Sequence, residues 1–275
     1  MINLKDEELR AVQRIQLEML IEVDRICSKC GIKYNIIAGT LLGAVRHGGY
    51  IPWDDDADIA LLRPEYEKFR EVCKTELDHT RFYFQDHRNT RGYRWGYGKI
   101  RRKGTVFLRE HQEHMPYNQG VFIDIFPLDY VPENYLLRCL QNLHCFCIRK
   151  VLWAPVGCIA DKNFGKRVLY SFLKKIPNKM IFQDYHRLIQ KSNQKKTKLV
   201  RILMFPTPNR VYGYFTEWYE QSTDVIFEGH TFKGIKKYDD YLHFKFGNYM
   251  SLPPLEQRKT HPVSDLKLVK PRLGE

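Results

Sequence analysis

No uncharged stretch of this 275-residue chain reaches the roughly 18 positions that a membrane-spanning helix needs. The best candidate, VLWAPVGCIA at 151–160, is short and holds a Pro and a Gly, with charges on both sides. The first residues, MINLKDEELR, lack the apolar core of a secretory leader, so a cytoplasmic protein is expected. Cysteine is sparse and odd in number at seven, which argues against a disulfide framework and for reduced thiols. Cys27 and Cys30 form a C-x-x-C without a second pair at zinc-site spacing, so they read as small core residues. Internal repeats are absent, which excludes a solenoid. Gly (17) and Pro (13) are too few for a low-complexity chain.

Acidic residues are also in deficit. Lys and Arg number 45 against 32 Asp and Glu, a formal charge of +13. The imbalance is local: residues 138–210 hold sixteen Lys and Arg against Asp161 and Asp184, and the rest of the chain is close to neutral. Apolar residues between these charges read as basic helices. Three readings fit them: a solvated helix face, attraction to anionic lipid or a lipid-linked acceptor, and nucleic acid. The last is disfavoured because interleaved aromatic platforms are missing.

The remainder alternates helical and strand patterns. Apolar residues at three- and four-residue steps predict a helix over 5–30, stopped by Gly31. A short strand, KYNIIAG, leads into a helix over Thr40–Arg46, and a loop follows. A strand is expected over Asp56–Leu62 and a helix from Pro64 to about Leu77. FYFQD, GYGKI, TVFL and GVFIDIFPLDYV read as further strands. The fold class is therefore α/β, a mixed sheet core with a basic helical insertion. The expected divisions are 1–137 for the core, 138–210 for the insertion, and 211–275 completing the core.

Chemistry concentrates at WDDDADI, residues 53–59. Four carboxylates within five residues repel one another unless a cation sits among them. Asp54 and Asp55 suit a loop or turn. Asp56 and Asp58, two apart at a strand start, share one face and suggest a hard-cation site, Mg²⁺ or Mn²⁺. Asp124, between two isoleucines, is the expected third carboxylate, with Asp129 in reserve. Gly39 and Thr40, at a strand-to-helix turn, are candidates to hold phosphate. Arg46, Lys99, Arg101 and Arg102 are candidates to neutralise it, Lys99 first. His47, His230 and His261 remain unassigned.

The segment AGTLLGAVRHGGYIPWDDDADIAL, followed by KIRRKGT, VFIDIFPLD and YDDYLHFKFGNYMSLPP, resembles the LicD family of phosphocholine transferases, related to the fukutin-type transferases. The resemblance covers about residues 25–262 and is weakest over 138–210. It implies a nucleotidyltransferase-type core and transfer of phosphocholine, or a similar phosphoalcohol, from CDP-choline or another CDP-alcohol. The acceptor would be a hydroxyl of a cell-surface glycan precursor of teichoic acid, lipopolysaccharide or capsule, with CMP released. That acceptor is expected to be lipid-linked, with the protein peripheral on the inner membrane face and no nucleic-acid partner. A choline head group needs aromatic faces, for which Trp53, Tyr93, Trp95 and Tyr97 are candidates. The alternatives are a nucleotidyltransferase that moves a nucleotide and releases pyrophosphate, and a glycosyltransferase, against which the Gly39-Thr40 turn argues.

Overall fold

The computed structural model describes residues 4–271. The chain runs α1 (Asp6–Cys30), β1 (Asn35–Ile36), α2 (Ala38–His47), β2 (Asp58–Leu62), α3 (Arg63–Glu76), β3 (Phe82–Gln85), β4 (Gly98–Arg102), β5 (Val106–Arg109) and β6 (Phe122–Tyr130). Three helices follow: α4 (Tyr135–Ala160), α5 (Phe164–Leu173) and α6 (Asn178–Ser192). The chain then returns through β7 (Leu199–Arg201), β8 (Tyr214–Phe215), α7 (Glu217–Glu220), β9 (Ser222–Phe227), β10 (His230–Ile235), α8 (Tyr238–Phe246) and β11 (Val263–Lys267).

The main sheet is mixed, in the order β3-β4-β6-β2-β1-β10-β9, with β7 and β8 continuing from the end of β6. β2 runs parallel to β6 and β1 parallel to β10, and the other neighbours are antiparallel. β11 pairs with β5 in a separate two-stranded ribbon. The α/β class with a mixed sheet is thus observed.

Alternation along the central strands decides what each face becomes. Ile59, Ile100, Ile123 and Ile125 are fully buried in the core that also holds Val12, Ile15 and Met19 of α1. The residues between them, Asp58, Lys99 and Asp124, point to the opposite face. They lie on three adjacent strands at one level, since Asp124 pairs with Asp58 on one side and Lys99 on the other.

Two boundaries differ from expectation. β2 begins at Asp58, so Asp56 lies in the loop before it. α2 begins at Ala38, which adopts a φ of +50°, a left-handed conformation rare for a residue with a side chain. The 151–160 segment is not separate either. It is the second half of α4, a 26-residue helix that contains Pro155 and is long and apolar enough by length and composition to cross a membrane. Cys145, Ile148 and Leu152 of α4 form a second core with Phe182, Tyr185 and Leu188 of α6 and with Leu203 and Met204.

Candidate active site

The acidic loop is held by α1. Gln13 donates to the Asp54 carbonyl (2.8 Å), and Gln16 donates to the carbonyls of Asp55 (2.9 Å) and Phe122 (3.2 Å). At the loop's far end, the Asp58 N–H donates to Thr40 Oγ1 (2.8 Å) and the Ile37 N–H to the Asp58 carbonyl (3.1 Å). Thr40 is buried and accepts this backbone bond, so its hydroxyl clasps β2 to α2. Gly39 faces Asp54: a Cβ there would meet Asp54 Oδ2 at 2.6 Å. The start of α2, expected to be open to phosphate, is therefore faced by a carboxylate of the same chain.

Asp55 is no free turn residue. It is buried, receives Arg109 Nη1 at 2.6 Å, and takes His261 Nδ1 at 2.7 Å and the His261 N–H at 3.2 Å. Burial pushes its carboxyl up, but His261 and Arg109 outweigh this and hold it below the usual range. The hydrogen bond to Asp55 raises the His261 imidazole in turn. Asp55 thereby ties β5 and the C-terminal segment to the acidic loop.

Asp56, Asp58 and Asp124 line one cleft of about 420 Å³ with Lys99, Arg109 and His261. Burial, then the charges of Asp56, Asp124 and Asp54, push Asp58 well above the carboxylate range. Burial and neighbouring aspartates raise Asp54 and Asp56 as well. Lys99 forms an ion pair with Asp124 and sits 3.4 Å from the Phe122 ring centre. Its burial brings the ammonium down to about 8 despite that pair. Crowded carboxylates held in high-energy ionised form are what a divalent cation relieves, and oxygen donors suit a hard one. The tightest group is Asp55, Asp56 and His261, with one ligand atom each within 4.8 Å of one another. Asp55 already serves Arg109 and His261.

The other expected residues divide. Trp95 and Tyr97 line the cleft, joined by Trp153 of α4, Phe126 and Phe205. Trp95 lies 5.7 Å from Trp153 and Tyr97 4.7 Å from Phe126, between ring centres. Trp53 lies elsewhere: Arg258 caps its ring at 4.9 Å, and His47 meets it edge-on. Tyr93 is buried against Tyr117. Arg101 borders the cleft, but its guanidinium is committed to Gln85 and the Gly120 carbonyl. Arg102 pairs with buried Glu18. Arg46 donates to the carbonyls of Tyr249 and Ser251. Gly39, Thr40 and Arg46 do not line the cleft. Residue-by-residue reading missed Arg109, Trp153, Phe205 and the role of His261. Arg109 closes the TVFL strand pattern, and that strand end was its available signal.

β1 through the start of α4, including every cleft carboxylate, coincide with a known domain: residues 31–142 match the family described as LicD/FKTN/FKRP, nucleotidyltransferase domain. The chain carries a LicD-family domain. A lipopolysaccharide cholinephosphotransferase LicD of Haemophilus influenzae is 27% identical over 272 residues, 95% of this chain and 98% of that protein. An uncharacterized Rickettsia prowazekii protein is 28% identical over 118 residues, 43% of this chain and 40% of its own length. The LicD domain holds Asp56, Asp58, Lys99 and Asp124, whereas Trp153, Phe205 and His261 come from outside it.

Proposed function

We propose that the protein transfers phosphocholine, or a closely similar phosphoalcohol, from a CDP-linked donor to a hydroxyl of a cell-surface glycan precursor, releasing CMP. The observation that carries this reading is the meeting, in one cleft, of the aspartates with half-exposed rings of Trp95, Tyr97, Trp153 and Phe205. A quaternary ammonium offers no hydrogen bond and is recognised by aromatic faces. A diphosphate needs cationic charge. Asp56, Asp58 and Asp124 would hold a divalent cation, Mg²⁺ or Mn²⁺, which supplies that charge when bound.

In this reading Lys99 and Arg109 add fixed positive charge beside the donor's phosphates. The acceptor oxygen attacks the phosphorus that carries the alcohol. The bond from that phosphorus to the bridging oxygen breaks, and CMP leaves with the electron pair. Asp124 takes the acceptor's proton on the oxygen that Lys99 does not engage. His261 and Arg109 fix Asp55 and through it the backbone on which Asp56 stands. Trp153 of α4 and Phe205 supply one side of the cleft, and His261 and Pro262 another. The acceptor is a lipopolysaccharide-type glycan, by similarity to the Haemophilus protein. The protein works in the cytoplasm, peripheral to the membrane.

The test offers CDP-choline, CDP-ethanolamine, CDP-glycerol, CDP-ribitol and nucleoside triphosphates with Mg²⁺ and a glycan extract. CMP release from one CDP-alcohol, lost in Asp56→Asn, is expected. Pyrophosphate release from a triphosphate would replace this reading with nucleotide transfer.

A further inference from the structure

Among the described residues, twelve of the twenty-two exposed large apolar side chains lie on two helices, α4 and α5. On α4, Leu136 is 71% exposed, and Leu140, Leu143 and Phe146 are also open to solvent. At 100° per residue these positions and Trp153 fall within an arc of about 140°, which Lys150 shares between Phe146 and Trp153. On α5, Phe164 (77% exposed), Val168 and Phe172 recur every fourth residue, with Leu169 beside them. Tyr170 is the buried residue of α5, and Arg167 adds a hydrogen bond to the Cys158 carbonyl at 3.3 Å. The Tyr170 ring packs on Gly157, where a Cβ would meet it at 2.6 Å, and its hydroxyl receives Lys150 at 2.9 Å. Contiguous apolar surface of this kind marks an interaction site.

Charge selects the partner. Lys162, Lys166, Arg167, Lys174 and Lys175 surround the α5 stripe, and no acidic residue intervenes between Asp161 and Asp184. A second copy of so basic a face would repel the first. An apolar layer beneath a negative surface fits both features, as in an anionic lipid leaflet. α4 is long enough to span, but its other face is built into the protein. Cys145, Ile148 and Leu152 pack in the second core, and the Val151 and Leu152 carbonyls accept from Arg94 at 2.9 and 2.8 Å.

We propose that α5 and the exposed stripe of α4 seat the protein on an anionic lipid leaflet, lying in the interfacial plane. A second cavity of about 590 Å³, bordered by Phe146, Arg149 and Lys150 of α4, shares Trp95, Tyr97, Trp153 and Phe205 with the catalytic cleft. The docked face therefore leads to the cleft, and an acceptor anchored in the leaflet reaches it from that side. This last step rests on the function proposed above; the docking does not.

The test is co-sedimentation of the full chain with vesicles of phosphatidylcholine, with and without phosphatidylglycerol. The wild type pellets with the anionic vesicles at about 100 mM salt, and neutral vesicles leave it in solution. Lys166→Gln/Arg167→Gln/Lys174→Gln/Lys175→Gln weakens binding about a thousandfold, the equivalent of roughly 1 kcal/mol for each of the four charges. Phe164→Ser/Leu169→Ser/Phe172→Ser weakens it comparably. Both variants retain CMP release from donor with a soluble acceptor, so a failure of docking is distinct from a failure of the catalytic reading. Wild-type protein left in solution with anionic vesicles, variants that pellet like the wild type, or a dimer closing this face in sedimentation velocity each overturn the proposal. Should a variant fail to fold, hydrogen exchange on the wild type decides. Added anionic vesicles must protect residues 136–175, and protection elsewhere or none refutes docking.

Discussion

Removing a cleft carboxylate should make the metal-free protein more stable. Asp58 is the sharpest case. It shares its strand level with Asp124 and its cleft with Asp56, and burial, then the charges of Asp56, Asp124 and Asp54, push its pKa up. Adjacent strands set neighbouring side chains about 5 Å apart, so each like-charge contact is unfavourable by about 3 kcal/mol at an effective dielectric of about 20. Lys245 offsets part of this, leaving a net gain of about 1–3 kcal/mol for Asp58→Asn without a cation. For a chain of this size that corresponds to a melting temperature about 2–10 °C higher.

The pH dependence has a definite sign. A carboxyl whose pKa is raised by folding holds a proton that the unfolded chain releases. Wild-type stability therefore falls as pH climbs from about 4 through the raised value, while the Asn variant lacks that loss. The gap between them is small at about pH 4 and opens toward neutrality. A divalent cation reverses the order. At a hundred times its dissociation constant it adds about 2.7 kcal/mol to the wild type and little to the variant. Thermal melts in EDTA and in Mg²⁺ or Mn²⁺, across pH, read both effects. An Asn variant that melts lower than the wild type in EDTA at neutral pH, or equal cation shifts in both proteins, would refute the reasoning.

Gly39→Ala should push Asp54 aside and lower turnover by at least about tenfold, with a smaller cation-induced melting shift; steady-state rates beside melts check this. Arg63 grips fully buried Asp129 through two hydrogen bonds of 2.7 and 2.6 Å, so Arg63→Met should lose about 3–5 kcal/mol in urea unfolding. The double variant Arg63→Met/Asp129→Leu should recover most of that loss. Trp95→Ala and Trp153→Ala should each raise the donor KM by about 5- to 30-fold, a loss of 1–2 kcal/mol in cation–π contact. Trp53→Ala should leave that KM unchanged, because Arg258 already covers its ring.

The central strands were legible because burial imposes a period on them. Asp124 stood out as a charge between isoleucines, whereas the strand face expected for Asp56 and Asp58 holds only for Asp58, because Asp56 stands in the loop before β2. What escaped reading depends on contacts distant in sequence. Asp55 resembles any loop aspartate until His261, 206 positions later, is brought against it. Arg101 and Arg102 look interchangeable with Lys99 in KIRR, yet adjacent strand residues face opposite ways. Arg102 meets Glu18 of α1 while Lys99 meets Asp124. Trp153 escapes because its cleft neighbour Trp95 lies far from it in sequence. α4 runs through Pro155 and Gly157, and Gly157 makes room for Tyr170.

The bond between Asp55 and His261 also orders events in time. A chain emerging from the ribosome presents its acidic loop 206 residues before the histidine that anchors it. At about 5–20 residues per second, that interval is about 10–40 s. During it the loop can rest on α1 but lacks its second fastening, and β1 lacks its parallel neighbour β10. A nascent chain thus acquires an aligned cleft only once His261 has emerged, and a chain cut short before His261 keeps every cleft aspartate yet lacks the clasp that sets them in place.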